Sequence, residues 1–279
     1  MKKQYRPNYI LYLLRFIGFW GISFVVWPTM ELQLKLAGEK GRDRVTRRWA
    51  KWWCYLVAQN NGYEVEVRGK LPPQGTLIVA NHVSYADIVA LNSVIACCFV
   101  AKAEIAKWPL LGHFTKLGNS VFVSRRRSDK ALRDQSRMLS ERLEKGNTCA
   151  VFAEGTTGDG NEVLPFKSAL LQPVIDAQCQ VTPVAIHWHT ENPRLDVQED
   201  IAYWRDTHDM LSHSVRHFGK NSKKVTICFG DQIDPDGLDR KTLAQKAYDT
   251  VKTMFDVVKE ELTRKGAQQD ERVSGINSY

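Results

Sequence analysis

Three short stretches of the 279-residue chain hold side chains that could do chemistry. The first is Asn81-His82-Val83-Ser84-Tyr85-Ala86-Asp87, where a short apolar strand gives way to a helix. A histidine followed five residues later by an aspartate can form a general base whose imidazole is oriented by a carboxylate. On a continuous α-helix that spacing turns the second side chain well away from the first. His82 and Asp87 can meet only if His82 lies in the loop and Asp87 in the first helical turn, with Ser84 as N-cap. The same arrangement explains Asp87 without catalysis, because Ser84-x-x-Asp87 is a capping-box spacing. Read alone, the motif favours capping.

The second stretch, Phe152-Ala153-Glu154-Gly155-Thr156-Thr157-Gly158-Asp159-Gly160, follows an apolar strand. Glycines at the C-terminal end of a parallel strand let backbone N–H groups approach an anion. The spacing matches neither a P-loop nor a dinucleotide fingerprint, so an ordinary glycine turn is an equal reading. In the third stretch, Val121-Phe122-Val123-Ser124 runs into Arg125-Arg126-Arg127. A guanidinium fork suits phosphate oxygens, and Arg125 lies nearest the strand end; a solvated charge run is the alternative. His187 with His189, and His213 with His217, have ligand-like spacings but no third partner, so they are expected to be ordinary polar histidines and no metal site is expected.

The elements that must position these residues alternate. Strands are expected at 63–67, 77–80, 99–101, 120–124, 148–153, 181–188 and 224–229, and helices at 84–96, 108–117, 129–145 and 239–264. Such alternation predicts an α/β fold, a mixed and largely parallel sheet flanked by helices. We expect three regions: 1–60 with membrane-anchoring helices, 61–265 as one domain, and a disordered tail at 266–279.

Charge sets the first 70 residues apart. They carry 13 Lys/Arg against 5 Asp/Glu, whereas residues 71–279 carry 26 of each, so the net +8 belongs to the N-terminal end. Five of the eight tryptophans (Trp20, Trp27, Trp49, Trp52, Trp53) lie there too. Tryptophan mixed with basic residues suits anionic lipid, and a neutral remainder leaves no long basic groove for nucleic acid. Residues 9–30 form an apolar run with Arg15 as its single charge, long enough to span a bilayer. Basic residues on both sides favour a membrane-associated helical hairpin over a single span. The six cysteines, without a C-x-x-C pair, read as free thiols in a reducing compartment, with Cys97 and Cys98 placed in a helix.

In order along the chain, N-H-x-x-x-x-D, a strand ending in Arg125, F-x-E-G-T and Val181-Thr182-Pro183-Val184-Ala185-Ile186 resemble the four blocks of the glycerolipid acyltransferase family. The resemblance implies transfer of a fatty acyl group from acyl-CoA or acyl carrier protein to a lysolipid hydroxyl, with no cofactor beyond that co-substrate. It implies that His82 is the base and Asp87 its orienting partner. It further implies that Asn81, Arg125, Glu154, Gly155 and Thr156 contact substrate, and that Pro183 shapes the site. The first-choice acceptor is 1-acyl-sn-glycerol-3-phosphate. Thr157 and Gly158 stand where that family often has Arg-Ser, a departure similar to the branch acting on lyso-ornithine lipid. The expected location is the cytoplasmic face of the inner membrane, with membrane lipid as a partner and no nucleic acid. A non-catalytic membrane-surface binding protein is the reading from another class.

Overall fold

The computed structural model describes residues 6–102, 121–123, 129–192, 194–203 and 209–276. It opens with α1 (Tyr9–Asn60), two helical arms broken at Gly38, whose φ of +60° and ψ of −176° lie outside helical space. Glycine reaches a positive φ without the steric cost that a Cβ brings. The arms run antiparallel. Asn60 Nδ2 donates to the Arg15 carbonyl (2.8 Å), Trp53 Nε1 to Ser23 Oγ (3.1 Å), and Trp49 Nε1 to Gln33 Oε1 (3.0 Å). Trp49 and Trp53 therefore join the two arms, while Trp52 stays exposed.

This hairpin lies along the body instead of projecting from it. Near its start, the Asn8 N–H donates to the Gly219 carbonyl (2.9 Å); past the bend, Arg47 donates to Asn147 Oδ1 (2.6 Å). Arg15 is buried and donates to the carbonyls of Phe218 (2.8 Å) and Lys220 (2.7 Å). Those carbonyls follow the last turn of a short helix, where a cation is favourable. Cys54, Val57 and Ala58 are buried as well, so residue 60 is not a boundary between separately packed units.

The body is a seven-stranded sheet of β1 (Tyr63–Arg68), β2 (Leu77–Ala80), β3 (Cys98–Lys102), β4 (Val121–Val123), β5 (Cys149–Phe152), β6 (Val181–His189) and β7 (Lys223–Phe229). The spatial order is β1-β7-β6-β2-β5-β3-β4, and every pair is parallel except β6 with β7. This is the mixed, mostly parallel sheet expected. Cys98 opens β3 and is not helical; all six cysteines are free thiols.

β2, Leu-Ile-Val-Ala, is buried at every position. A parallel strand covered on both faces needs no polar alternation. Leu77 and Val79 pack with Leu139, Leu143 and Leu243 on one face, while Ile78 and Ala80 pack with Ala86, Ala90 and Leu91 on the other. The first face is covered by α3 (Asp129–Glu144), α4 (Gln172–Asp176) and α6 (Arg240–Ile276). The second is covered by α2 (Ala86–Val94), the α1 hairpin and the short α5 (Met210–Phe218). α6 continues through Gly266 to Ile276, so most of the expected disordered tail is helix. The helix expected at 108–117 lies outside the described residues.

Parallel β2, β5 and β3 all end at one edge of the sheet, and β2 and β5 each then enter a loop. Those two loops carry His82 and Glu154.

Candidate active site

At the end of β2 the chain turns sharply into α2. His82 Nδ1 lies 2.8 Å from Asp87 Oδ2, with His82 in the loop and Asp87 in the first helical turn. The same Oδ2 accepts the backbone N–H groups of Val83 (2.7 Å) and Ser84 (2.9 Å), and Oδ1 accepts the Trp188 indole N–H (2.6 Å). Asp87 is fully buried, whereas the His82 side chain keeps 18% of its surface accessible. Capping and orientation, separate readings of the sequence, are two functions of one carboxylate. The expected capping pair forms: Ser84 Oγ accepts the Ala86 N–H at 3.3 Å while Asp87 Oδ2 accepts the Ser84 N–H, and Tyr85, between Ser84 and α2, has helical φ/ψ and no side-chain cap bond.

A carboxylate offers only acceptors, so the proton between the two side chains belongs to His82 Nδ1. Nε2 then carries a lone pair, as a proton acceptor needs. The ring lies flat on Phe152 of β5, with centroids 3.9 Å apart and planes 9° from parallel. The His82 carbonyl accepts the Gly158 N–H at 2.7 Å, tying the histidine loop to the glycine loop.

Glu154, two residues after Phe152, is buried. Its Oε1 accepts the Leu164 N–H (3.1 Å), and its Oε2 has no partner among the described residues. Burial pushes its carboxyl up to about 8, with the nearby Asp87 charge adding to the effect and backbone N–H groups of Leu164 and His82 opposing it. Gly155 has φ +69°, and a Cβ there would lie 2.8 Å from Lys167 Nζ. Only glycine leaves room for that ammonium against the loop. Lys167 was not singled out from sequence; it reaches the loop because its N–H donates to the Ala153 carbonyl (2.7 Å). Thr156 is exposed at the loop surface, and Thr157 Oγ1 donates to the Tyr203 carbonyl.

Asn81 and Pro183, expected at the substrate site, both lie inside the sheet. Asn81 is fully buried, its amide donating to the Ile186 carbonyl (2.9 Å) and accepting the Ile186 N–H (2.8 Å). It joins β2 to β6 and faces no open site. Pro183 is buried within β6, level with Val79 and below the histidine loop, and its carbonyl accepts the Gly230 N–H (2.9 Å). Arg125 lies outside the described residues, although β4 is parallel to β3 and ends at the same edge. His213 and His217 are fully buried: His213 bonds the Tyr85 hydroxyl (3.0 Å) and Ala202 carbonyl (3.0 Å), and His217 the Tyr63 hydroxyl (2.5 Å) and Asp200 carbonyl (3.0 Å). They belong to the packing beneath the hairpin.

The arrangement is a carboxylate-oriented imidazole at the edge of a sheet, beside a loop carrying a carboxyl and an ammonium. Comparison with known proteins agrees with it. Residues 64–187 match the family model described as Acyltransferase, which spans all four sequence blocks. The chain is 32% identical over 249 residues to the lyso-ornithine lipid O-acyltransferase of Pseudomonas aeruginosa, covering 88% of this chain and 93% of that protein. It is 31% identical over 211 residues to the 1-acyl-sn-glycerol-3-phosphate acyltransferase of Neisseria gonorrhoeae, covering 71% and 76%. The fold matches the crystal structure of the 1-acyl-sn-glycerophosphate acyltransferase PlsC from Thermotoga maritima with a TM-score of 0.70 at 24% identity, over 90% of this chain and 96% of that one. The chain belongs to the acyltransferase family.

Proposed function

We propose that this enzyme moves a fatty acyl group from the thioester of acyl-CoA or acyl carrier protein to the free hydroxyl of a lysolipid. The observation that carries this reading is the 2.8 Å contact between His82 and Asp87, which leaves Nε2 free to accept a proton. The acceptor hydroxyl gives its proton to Nε2 as its oxygen attacks the thioester carbonyl carbon. The tetrahedral adduct then collapses: the C–S bond breaks, and the departing sulfur takes the proton back from the imidazolium. The Asp87 carboxylate stabilises the imidazolium between the two steps. No covalent acyl-enzyme is required.

Lyso-ornithine lipid is our preferred acceptor. Thr157 stands where the family's arginine is common, its hydroxyl is committed to the Tyr203 carbonyl, and a relative of that name aligns over nearly its whole length. Lys167 favours 1-acyl-sn-glycerol-3-phosphate as the second choice, because its ammonium beside Gly155 suits a phosphate. Full-length protein in detergent, given long-chain acyl-CoA or acyl carrier protein thioesters and each lysolipid in turn, is assayed for thiol release and for the diacyl product. Turnover with lyso-ornithine lipid above the phosphate acceptor supports the preferred reading. The opposite ratio supports the second, and no turnover with either donor overturns both.

We further propose that the first arm of α1 attaches the enzyme to the bilayer from one side. Ile10, Leu13, Leu14, Ile17, Phe24, Val25, Leu32 and Leu36 are exposed along it. At about 1.5 Å per residue that stripe is about 40 Å long. Its length would suit a span, but the contacts tying the hairpin to the body at both ends favour an arm lying in the interface plane. A cytoplasmic-facing attachment to the inner membrane suits acyl-CoA or acyl carrier protein as donor.

A further inference from the structure

We infer that Trp188 is a positioning residue of the acyl transfer, fixing the Asp87 carboxylate so that its second oxygen faces His82. The inference rests on the reading of His82 as base and extends it to a residue 101 positions away in sequence.

Asp87 sits among four donors. Three of them, His82 Nδ1 and the Val83 and Ser84 N–H groups, converge on Oδ2. They come from one tight turn, and alone they leave Oδ1 of this fully buried carboxylate without a donor. A buried carboxylate oxygen without a donor is costly, and the group would rotate to find one. The indole N–H at 2.6 Å satisfies Oδ1 and fixes the carboxylate plane.

Trp188 is itself held. It is buried on β6, and the Tyr63 ring packs edge-on against it, with centroids 5.1 Å apart. Alternation along β6 sends Ile186 and Trp188 to the same face, toward α2. Ile186 holds Asn81 through its backbone, and Trp188 holds Asp87 through its side chain. One strand thus braces both ends of the seven-residue block. The indole can also follow the charge of the dyad, since the imidazolium formed during transfer and the indole share one carboxylate.

The test uses full-length enzyme. Trp188→Phe keeps a buried ring and removes the donor. We expect kcat to fall on the order of 10- to 100-fold, the effect of one charge-assisted hydrogen bond, with both KM values within about twofold. In an Asp87→Asn background the same substitution should cost nothing further, because Trp188 acts through that carboxylate. An unchanged kcat, or a full additional loss in the Asp87→Asn background, overturns the inference. A second measurement needs no Trp188 variant. The indole ¹H–¹⁵N resonance of Trp188 should shift when His82 alone is replaced by alanine, and an unmoved resonance overturns the inference. Full activity in His82→Ala removes the base and this inference with it. An inactive His82→Ala beside an unchanged Trp188→Phe removes only the role of the indole.

Discussion

Asp87 Oδ2 accepts His82 Nδ1 at 2.8 Å and, at 2.7 and 2.9 Å, the backbone N–H groups that lie between the two residues. The carboxylate that orients the imidazole therefore also shapes the loop carrying it. His82→Ala should lower turnover by about 10²–10⁴-fold, the usual contribution of a general base, and leave the melting temperature near wild type. Asp87→Asn should differ. All four partners are donors, so the amide NH₂ faces another N–H in either rotamer. A stability loss of about 1–3 kcal/mol, as for an unsatisfied buried group, should accompany the loss of activity. Thermal melts beside initial rates check both, and an Asn variant with wild-type stability and rate would remove the dyad.

Glu154 provides a pH signature. Its carboxyl is raised by burial from 4.5 to about 8 in the folded state, so the folded protein holds this proton where the unfolded chain has released it. Its stabilising contribution is present below about 4.5 and fades as pH rises toward 8. Glu154→Gln should therefore gain in melting temperature over wild type as pH climbs through that window, with a constant difference above it. A difference that does not vary with pH would mean that Glu154 is ionised throughout.

Lys167 places its ammonium against Gly155. Lys167→Met should raise the acceptor KM by about tenfold and leave the donor KM within about twofold, since a charge-assisted contact to one substrate is lost. Gly155→Ala should mimic it and also strain the loop, because φ +69° disfavours a Cβ that would in any case meet Lys167. Equal changes in both KM values would assign Lys167 to loop packing.

Asn81 makes two bonds to the backbone of one residue, Ile186, across β2 and β6. Asn81→Ala should cost about 2–4 kcal/mol of stability, on the scale of two buried hydrogen bonds lost with their partners left unpaired. If its effect fell on KM with the melting point unchanged, Asn81 would be a substrate contact.

The exposed stripe of α1 can be tested without deleting the hairpin. Deletion of residues 1–60 would strip Cys54, Val57 and Ala58 from the core, and the body should aggregate. Replacing Ile10, Leu13, Leu14 and Ile17 by glutamine removes only surface contacts. Flotation with anionic vesicles should drop sharply, with far-UV circular dichroism unchanged. Flotation at the wild-type level would move the attachment to another surface.

What the sequence by itself determined was local. Alternation and length located the described strands within two residues, the Asn81–Asp87 block announced a loop-to-helix turn, and glycine marked the loop at 155, whereas the bend at Gly38 had no such signal. Each of these depends on neighbours a few positions apart, where backbone sterics and side-chain period act directly. Tertiary structure decided the rest. Trp188 bonds Asp87 across 101 positions, Ile186 bonds Asn81 across 105, and Arg15 reaches Lys220 across 205. None has a local signal, because each partner is chosen by strand order and by the hairpin's path over the sheet. Asn81 is spent inside the sheet, and the charge of the apolar run caps a distant helix. Both outcomes follow from one physical requirement, that a polar group taken out of water must find its partner wherever the fold has placed one.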